Sequence, residues 1–91
     1  MAWTWDARKA AANRAKHGVS FEAAVLVFDD PLHMSQPDPH SDGDRWQTID
    51  RVSVSLLLVV NTLIDEDALD GRIISARKAT PHERRAYEEG L

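Results

Sequence analysis

Arg72, Arg77 and Lys78 place three cations on and just after a short β-branched run, Ile73-Ile74. A helix start, Thr80-Pro81-His82-Glu83, follows at once. Arginine is always charged and can grip a phosphate through two parallel N–H bonds. A helix N-terminus adds backbone donors and a favourable dipole for an anion. This segment is therefore where a phosphate group would find partners. Strand alternation predicts Arg72 and Arg77 on opposite faces, five residues apart, unless a bulge re-aims one of them. A plainer reading gives one arginine to phosphate and the other to an ion pair with an acid such as Glu83.

A second polar set, Lys9, Asn13, Lys16 and His17, recurs at i, i+4, i+7 and i+8. On a helix these share one face. They would either line a nucleic-acid groove or form an ordinary solvated face. Of the four histidines, His40 is the candidate acid or base, because imidazole titrates near neutrality. It lies in a Pro- and Asp-rich loop, where a plain exposed histidine is the alternative. No histidine pair has metal-ligand spacing, and there is no cysteine. Neither a metal site nor a cofactor is expected.

The elements that must position these residues can be read in order. Residues 3–5 (Trp-Thr-Trp) predict a short strand, and Asp6 is an N-cap. Residues 7–17 are rich in Ala, Arg and Lys, strong helix formers, and Gly18 sits where a helix ends. Ser20 caps a second helix, whose Phe21, Ala24, Val25 and Phe28 fall on one core-facing side. Asp29-Asp30-Pro31 stops it. Residues 29–44 read as a loop enclosing a short edge strand near 32–36. Residues 45–54 favour a strand, and 55–62, with the run Leu56-Leu57-Leu58-Val59-Val60, predict a central strand covered on both faces. The turn between them carries no glycine. An acidic loop leads into the strand over 72–78, and a capping box at Thr80 and Glu83 starts a helix over 81–89. The class is α+β, ordered β-α-α-β-β-β-β-α, with a mostly antiparallel sheet and helices packed on one face. Trp3, Trp5 and Trp46 could stack on bases or fill the core.

The 91 residues make one domain, spanning 1–91. A chain this short buries ~60–65% of its unfolded surface in a single core. The net charge of −4 is uneven: residues 31–70 hold eight acids and two bases, and residues 71–91 hold three acids and five bases. Phosphate contacts dominate nonspecific nucleic-acid affinity, so only a local basic patch is available for it. No apolar run approaches the ~20 residues of a membrane span, and a cytoplasmic protein is expected.

Several words of this chain occur together in a known family. They are Trp5-Asp6, Lys9, Asn13, Lys16-His17-Gly18-Val19-Ser20-Phe21, Asp30-Pro31, Arg45-Trp46 and Arg72-Ile73-Ile74-Ser75-Ala76-Arg77. The chain resembles the BrnT toxins, whose fold is RelE-like. The resemblance implies a type II toxin, a metal-independent endoribonuclease that inhibits translation. It also implies neutralisation by a BrnA-like antitoxin with a ribbon-helix-helix DNA-binding part, and operator DNA reached only through that antitoxin. Cleaving RNA without a metal needs a proton acceptor for the 2′-hydroxyl, stabilisation of the phosphorane charge and a proton for the leaving oxygen. Arg72, Arg77 and Arg45 suit the second task, and His40 or Lys16 the proton transfers. Lys9, Asn13, Lys16, His17 and Lys78 are the candidate RNA-binding residues. Family members carry a His and an Arg where this chain reads Asn61-Thr62-Leu63-Ile64. That departure motivates an alternative: a catalytically weakened relative that mainly binds antitoxin as a co-repressor subunit.

Overall fold

The computed structural model describes residues 3–39, 44–65 and 70–90, with backbone alone at 64 and 65. His40 lies outside them, as do Asp42, Glu66 and Asp67 of the acidic loops. The described elements run β1 (Trp3–Thr4), α1 (Ala7–His17), α2 (Phe21–Val25), β2 (Met34–Pro37), β3 (Trp46–Val52), β4 (Ser55–Asp65), β5 (Asp70–Lys78) and α3 (Pro81–Glu88). A short 3₁₀ turn, Leu26–Asp29, extends α2.

Local chemistry explains the boundaries. Asp6 accepts from the backbone N–H groups of Arg8 and Lys9 at 2.8 and 3.1 Å, which starts α1 and holds its carboxyl below the usual range. Gly18 ends that helix at φ 73°, its N–H donating to the Arg14 carbonyl. Ser20 caps α2 through the Ala23 N–H. Thr80 and Glu83 complete a capping box at α3, with Pro81 in its first turn. The glycine-free turn between β3 and β4 is Ser53-Val54, with Ser53 taking the left-handed conformation at φ 56°.

The five strands form one sheet in the order β1-β5-β4-β3-β2. Among the described strands only the β1–β5 pair is parallel. β4 lies at the centre, and Leu56 through Val59 are buried on both of its faces. Leu57 and Val59 join Phe21, Ala24, Val27 and Ala76 in the core beneath α1 and α2. Trp3 stacks on Phe28 at 3.9 Å, and Trp5 meets Phe21 edge-on at 6.0 Å. Both rings pack against this core, so they are structural and not platforms for bases.

The expectation that all helices share one face needs correcting. Alternation along β4 points Leu56, Leu58 and Val60 away from α1 and α2. Leu58 lines a cavity together with His82, Glu83, Ala86 and Tyr87 of α3. α3 therefore crosses the opposite face. An unbroken apolar run calls for cover on both sides, and the C-terminal helix supplies the second cover.

Candidate nucleic-acid interface

Cross-strand register arranges the α3-bearing face into rows. The first row is Met34, Ile49, Leu58 and Arg77. The second is Gln36, Gln47, Val60 and Ser75. In the third, Thr62 pairs with Arg72, and Thr4 of β1 stands beyond it. The ladder continues one residue past the start of β3, where the Asp38 N–H donates to the Arg45 carbonyl at 2.9 Å. Alternation then sets Arg45 in the third row beside Thr62. Arg45 and Arg72 flank Thr62 from the two neighbouring strands, ~10 Å apart at the backbone. Successive rows lie ~7 Å apart along the strands.

Arg72 and Arg77 share this face because β5 carries a bulge. Val60 pairs with Ser75 while the next residue, Asn61, pairs with Ile73, so Ile74 is an extra residue. One inserted residue inverts the alternation beyond it. Five residues of regular strand would have put the two arginines on opposite faces.

Their environments differ. Arg72 is exposed. Arg77 is half-buried and donates two parallel bonds to Glu83, Nη1 to Oε1 at 2.7 Å and Nη2 to Oε2 at 2.8 Å. The guanidinium holds the Glu83 carboxyl down at about 2, aided by the Thr80 N–H that donates to the same Oε1. Glu83 in turn raises the pKa of Arg77. The pair ties the end of β5 to the first turn of α3.

Between α3 and the first two rows lies a cavity of about 270 Å³. Met34, Ile49 and Leu58 make its apolar floor, Gln36 and Gln47 supply amides, and His82 and Tyr87 stand at the helix side. The Tyr87 hydroxyl donates to Asp50 Oδ1 at 2.9 Å. Asp50 is fully buried, and its Oδ2 has no hydrogen-bond donor. Burial raises the Asp50 pKa, and the neighbouring Asp30 carboxylate adds to the rise. Tyr87 is pushed up by its own burial and by this carboxyl.

The comparisons with known proteins converge on one group. Residues 5–83 match the family model described as the ribonuclease toxin, BrnT, of type II toxin–antitoxin systems. The chain belongs to that family. Among solved structures it is similar to the Brucella abortus ribonuclease toxin BrnT, with 27% identity and a TM-score of 0.64. The match covers 88% of this chain and 99% of that one. No curated protein sequence matches it. Membership in this toxin family implies an antitoxin partner. No helix among the described residues is long and apolar enough to cross a membrane.

Within this family member the expected site residues divide between two layers. Arg72, Arg77 and, by register, Arg45 come together on the α3-bearing face. Asn13, Lys16 and His17 of the α1 set do not join them. Asn13 is buried, and its role is corrected to a structural one. Its Nδ2 donates to the carbonyls of Ala76 at 2.8 Å and Val19 at 3.1 Å, and its Oδ1 accepts the Ala76 N–H at 3.1 Å. It stands in for the strand partner that β5 lacks beyond the two-residue β1. Lys9 and Lys16 are exposed and His17 half-buried on α1. Lys9, at the start of the helix, lies toward Arg72, and both cations act on the Asp6 carboxyl. Lys78 pairs with Leu57 and so faces the α1 side as well, near Arg14 and Ser55. Asn61 is also on that side, buried, accepting from Thr48 Oγ1 at 2.9 Å, and Thr48 is 2.7 Å from Ser35 Oγ. The departure at Asn61 therefore falls inside a packed polar chain and not on the arginine face.

His82, Gln36 and Gln47 line the cavity without having been singled out in the sequence. The Thr80-Pro81 cap places His82 in a first helical turn, but only register shows what that turn faces. The glutamines carry no local signal, because their meaning depends on strand pairing.

Proposed function

We propose that this chain is a metal-independent endoribonuclease of RelE-like architecture, acting on RNA bound across the α3-bearing sheet face. The observation that carries the reading is the Ile74 bulge, which sets Arg72 and Arg77 on one face beside a cavity rimmed by an imidazole. Arg72 and Arg45, flanking Thr62, hold the phosphate and stabilise charge as the phosphorane forms. Arg77 acts from the opposite side of the middle row, and its pairing with Glu83 fixes α3 over the sheet. His82 on the cavity rim serves as acid or base in the proton transfers, with His40 the second imidazole for the pair of steps. The 2′-hydroxyl oxygen attacks phosphorus, the bond to the 5′ oxygen breaks, and the proton taken from the nucleophile is matched by one given to the leaving oxygen.

The biological setting follows the family. RNA cleavage would arrest translation in the cytoplasm. A BrnA-like ribbon-helix-helix antitoxin would neutralise the enzyme and bring it to operator DNA. The co-repressor alternative keeps two of its motives, the acidic balance and Ile64, whose side chain lies outside the described residues, while Asn61 lies away from the arginine face. The deciding experiment incubates purified, folded protein with RNA in excess EDTA. Cleavage that falls sharply in Arg72→Ala is expected. RNA left intact at high protein concentration refutes the proposal.

A further inference from the structure

We propose that the cavity between α3 and the sheet is a nucleobase subsite that takes one unstacked adenine of the RNA. The inference rests on the ribonuclease reading and adds to it the base that the site recognises.

Size is the first argument. At about 270 Å³ the cavity lies below the roughly 300–1,000 Å³ that houses drug-sized ligands, so it suits one ring system and not a dinucleotide. Its chemistry is the second. A base has two apolar faces and a polar edge, and Met34, Ile49 and Leu58 offer an apolar floor while Tyr87 and His82 offer rings at the wall. Single-stranded RNA is read in this way, by stacking and by hydrogen bonds to base edges.

The third argument concerns the two amides. Gln36 Nε2 donates to Gln47 Oε1 at 3.3 Å, and Gln47 Nε2 donates to Asp38 Oδ1 at 3.4 Å. Both bonds are longer than the usual range and exchange readily for better partners. A glutamine amide presents a donor and an acceptor side by side, which matches N7 and the N6 amine of adenine.

Placement is the fourth. Gln36 and Gln47 occupy the row next to Arg45 and Arg72, ~7 Å away along the strands. A phosphate on the arginine row and its base over the glutamine row belong to one nucleotide or to immediate neighbours. The Tyr87 wall is held in place by its bond to the buried Asp50.

Two measurements test this. In the first, side-chain amide NMR signals of Gln36 and Gln47 are followed during titration with adenosine 3′-monophosphate, and separately with ribose 5-phosphate. The adenosine nucleotide should move both signals, and the sugar phosphate should leave them in place. In the second, cleavage sites are mapped on a random RNA pool for wild type, Gln36→Glu and Gln47→Ala. Wild type should enrich adenine at one fixed position from the cut, and each variant should flatten that enrichment by about tenfold. Gln36→Glu alters an exposed side chain without removing bulk, so it keeps the test meaningful if Gln47→Ala unfolds. Unmoved amide signals, or an enrichment unchanged in Gln36→Glu, overturn the proposal. So does a loss confined to antitoxin affinity, which would mark the cavity as a protein-binding pocket. If no RNA is cut at all, the ribonuclease reading falls by itself, and the nucleotide titration alone decides the subsite.

Discussion

Arg72 and Arg77 differ by what each already holds. Arg72 is exposed in the third row, whereas Arg77 is spent on a bidentate pair with Glu83. Arg72→Ala should lower RNA cleavage on the order of 10²-fold, as loss of one charge-stabilising donor does, with the melting temperature unchanged. Arg77→Ala should also cost about 1–2 kcal/mol of stability, read from urea unfolding, because it removes charged hydrogen bonds at the base of α3. Equal melting losses in the two variants would contradict this division. The sequence reading left open which arginine would pair with an acid. The capping box decides it, because it fixes Glu83 in the first turn of α3, within reach of Arg77 and far from Arg72.

At the scale of elements, two devices hold the arginine strand in place. Asn13 satisfies both backbone groups of Ala76 and so joins α1 to the open edge of β5. Asn13→Ala would leave buried donors and acceptors without partners and should cost about 3 kcal/mol, measured as a shift in the urea midpoint at constant slope. Gly71 lies where β5 passes between β4 and β1. A Cβ there would sit 2.0 Å from the Thr62 carbonyl oxygen and 2.8 Å from the Trp3 ring. Gly71→Ala should therefore destabilise by at least about 2 kcal/mol. Neither device was legible beforehand. Asn13 sat in a polar stripe that periodicity assigned to solvent or ligand, and a strand edge needing a partner cannot be seen along the chain.

For the whole molecule, two carboxyls shape stability against pH in opposite directions. Glu83, held at about 2 by Arg77, contributes stability above its ordinary value of 4.5 that is lost as pH falls toward 2. Asp50, raised by burial, contributes stability that is complete below its ordinary value of 3.8 and is lost as pH rises through the higher folded value. Melting temperatures across pH should show Glu83→Gln flattening the acid limb. Asp50→Asn, which keeps an acceptor for Tyr87, should flatten the opposite limb. The acidic net charge also limits how RNA is held. With two or three phosphate contacts, the logarithm of affinity should fall with the logarithm of salt at a slope of roughly −1.5 to −2, and Arg72→Ala should reduce that slope by about 0.7.

By itself the sequence determined the order of helices and strands, the N-caps of the three helices and the family, because caps, apolar runs and short words are local and act through neighbouring residues. Tertiary structure decided which residues share a face. One inserted residue in β5 brought Arg72 to the side of Arg77, the crossing of α3 made that side a groove, and cross-strand register set two glutamines beside the arginine row. Faces and rows arise from pairing between distant strands, where a single-residue shift exchanges inside for outside.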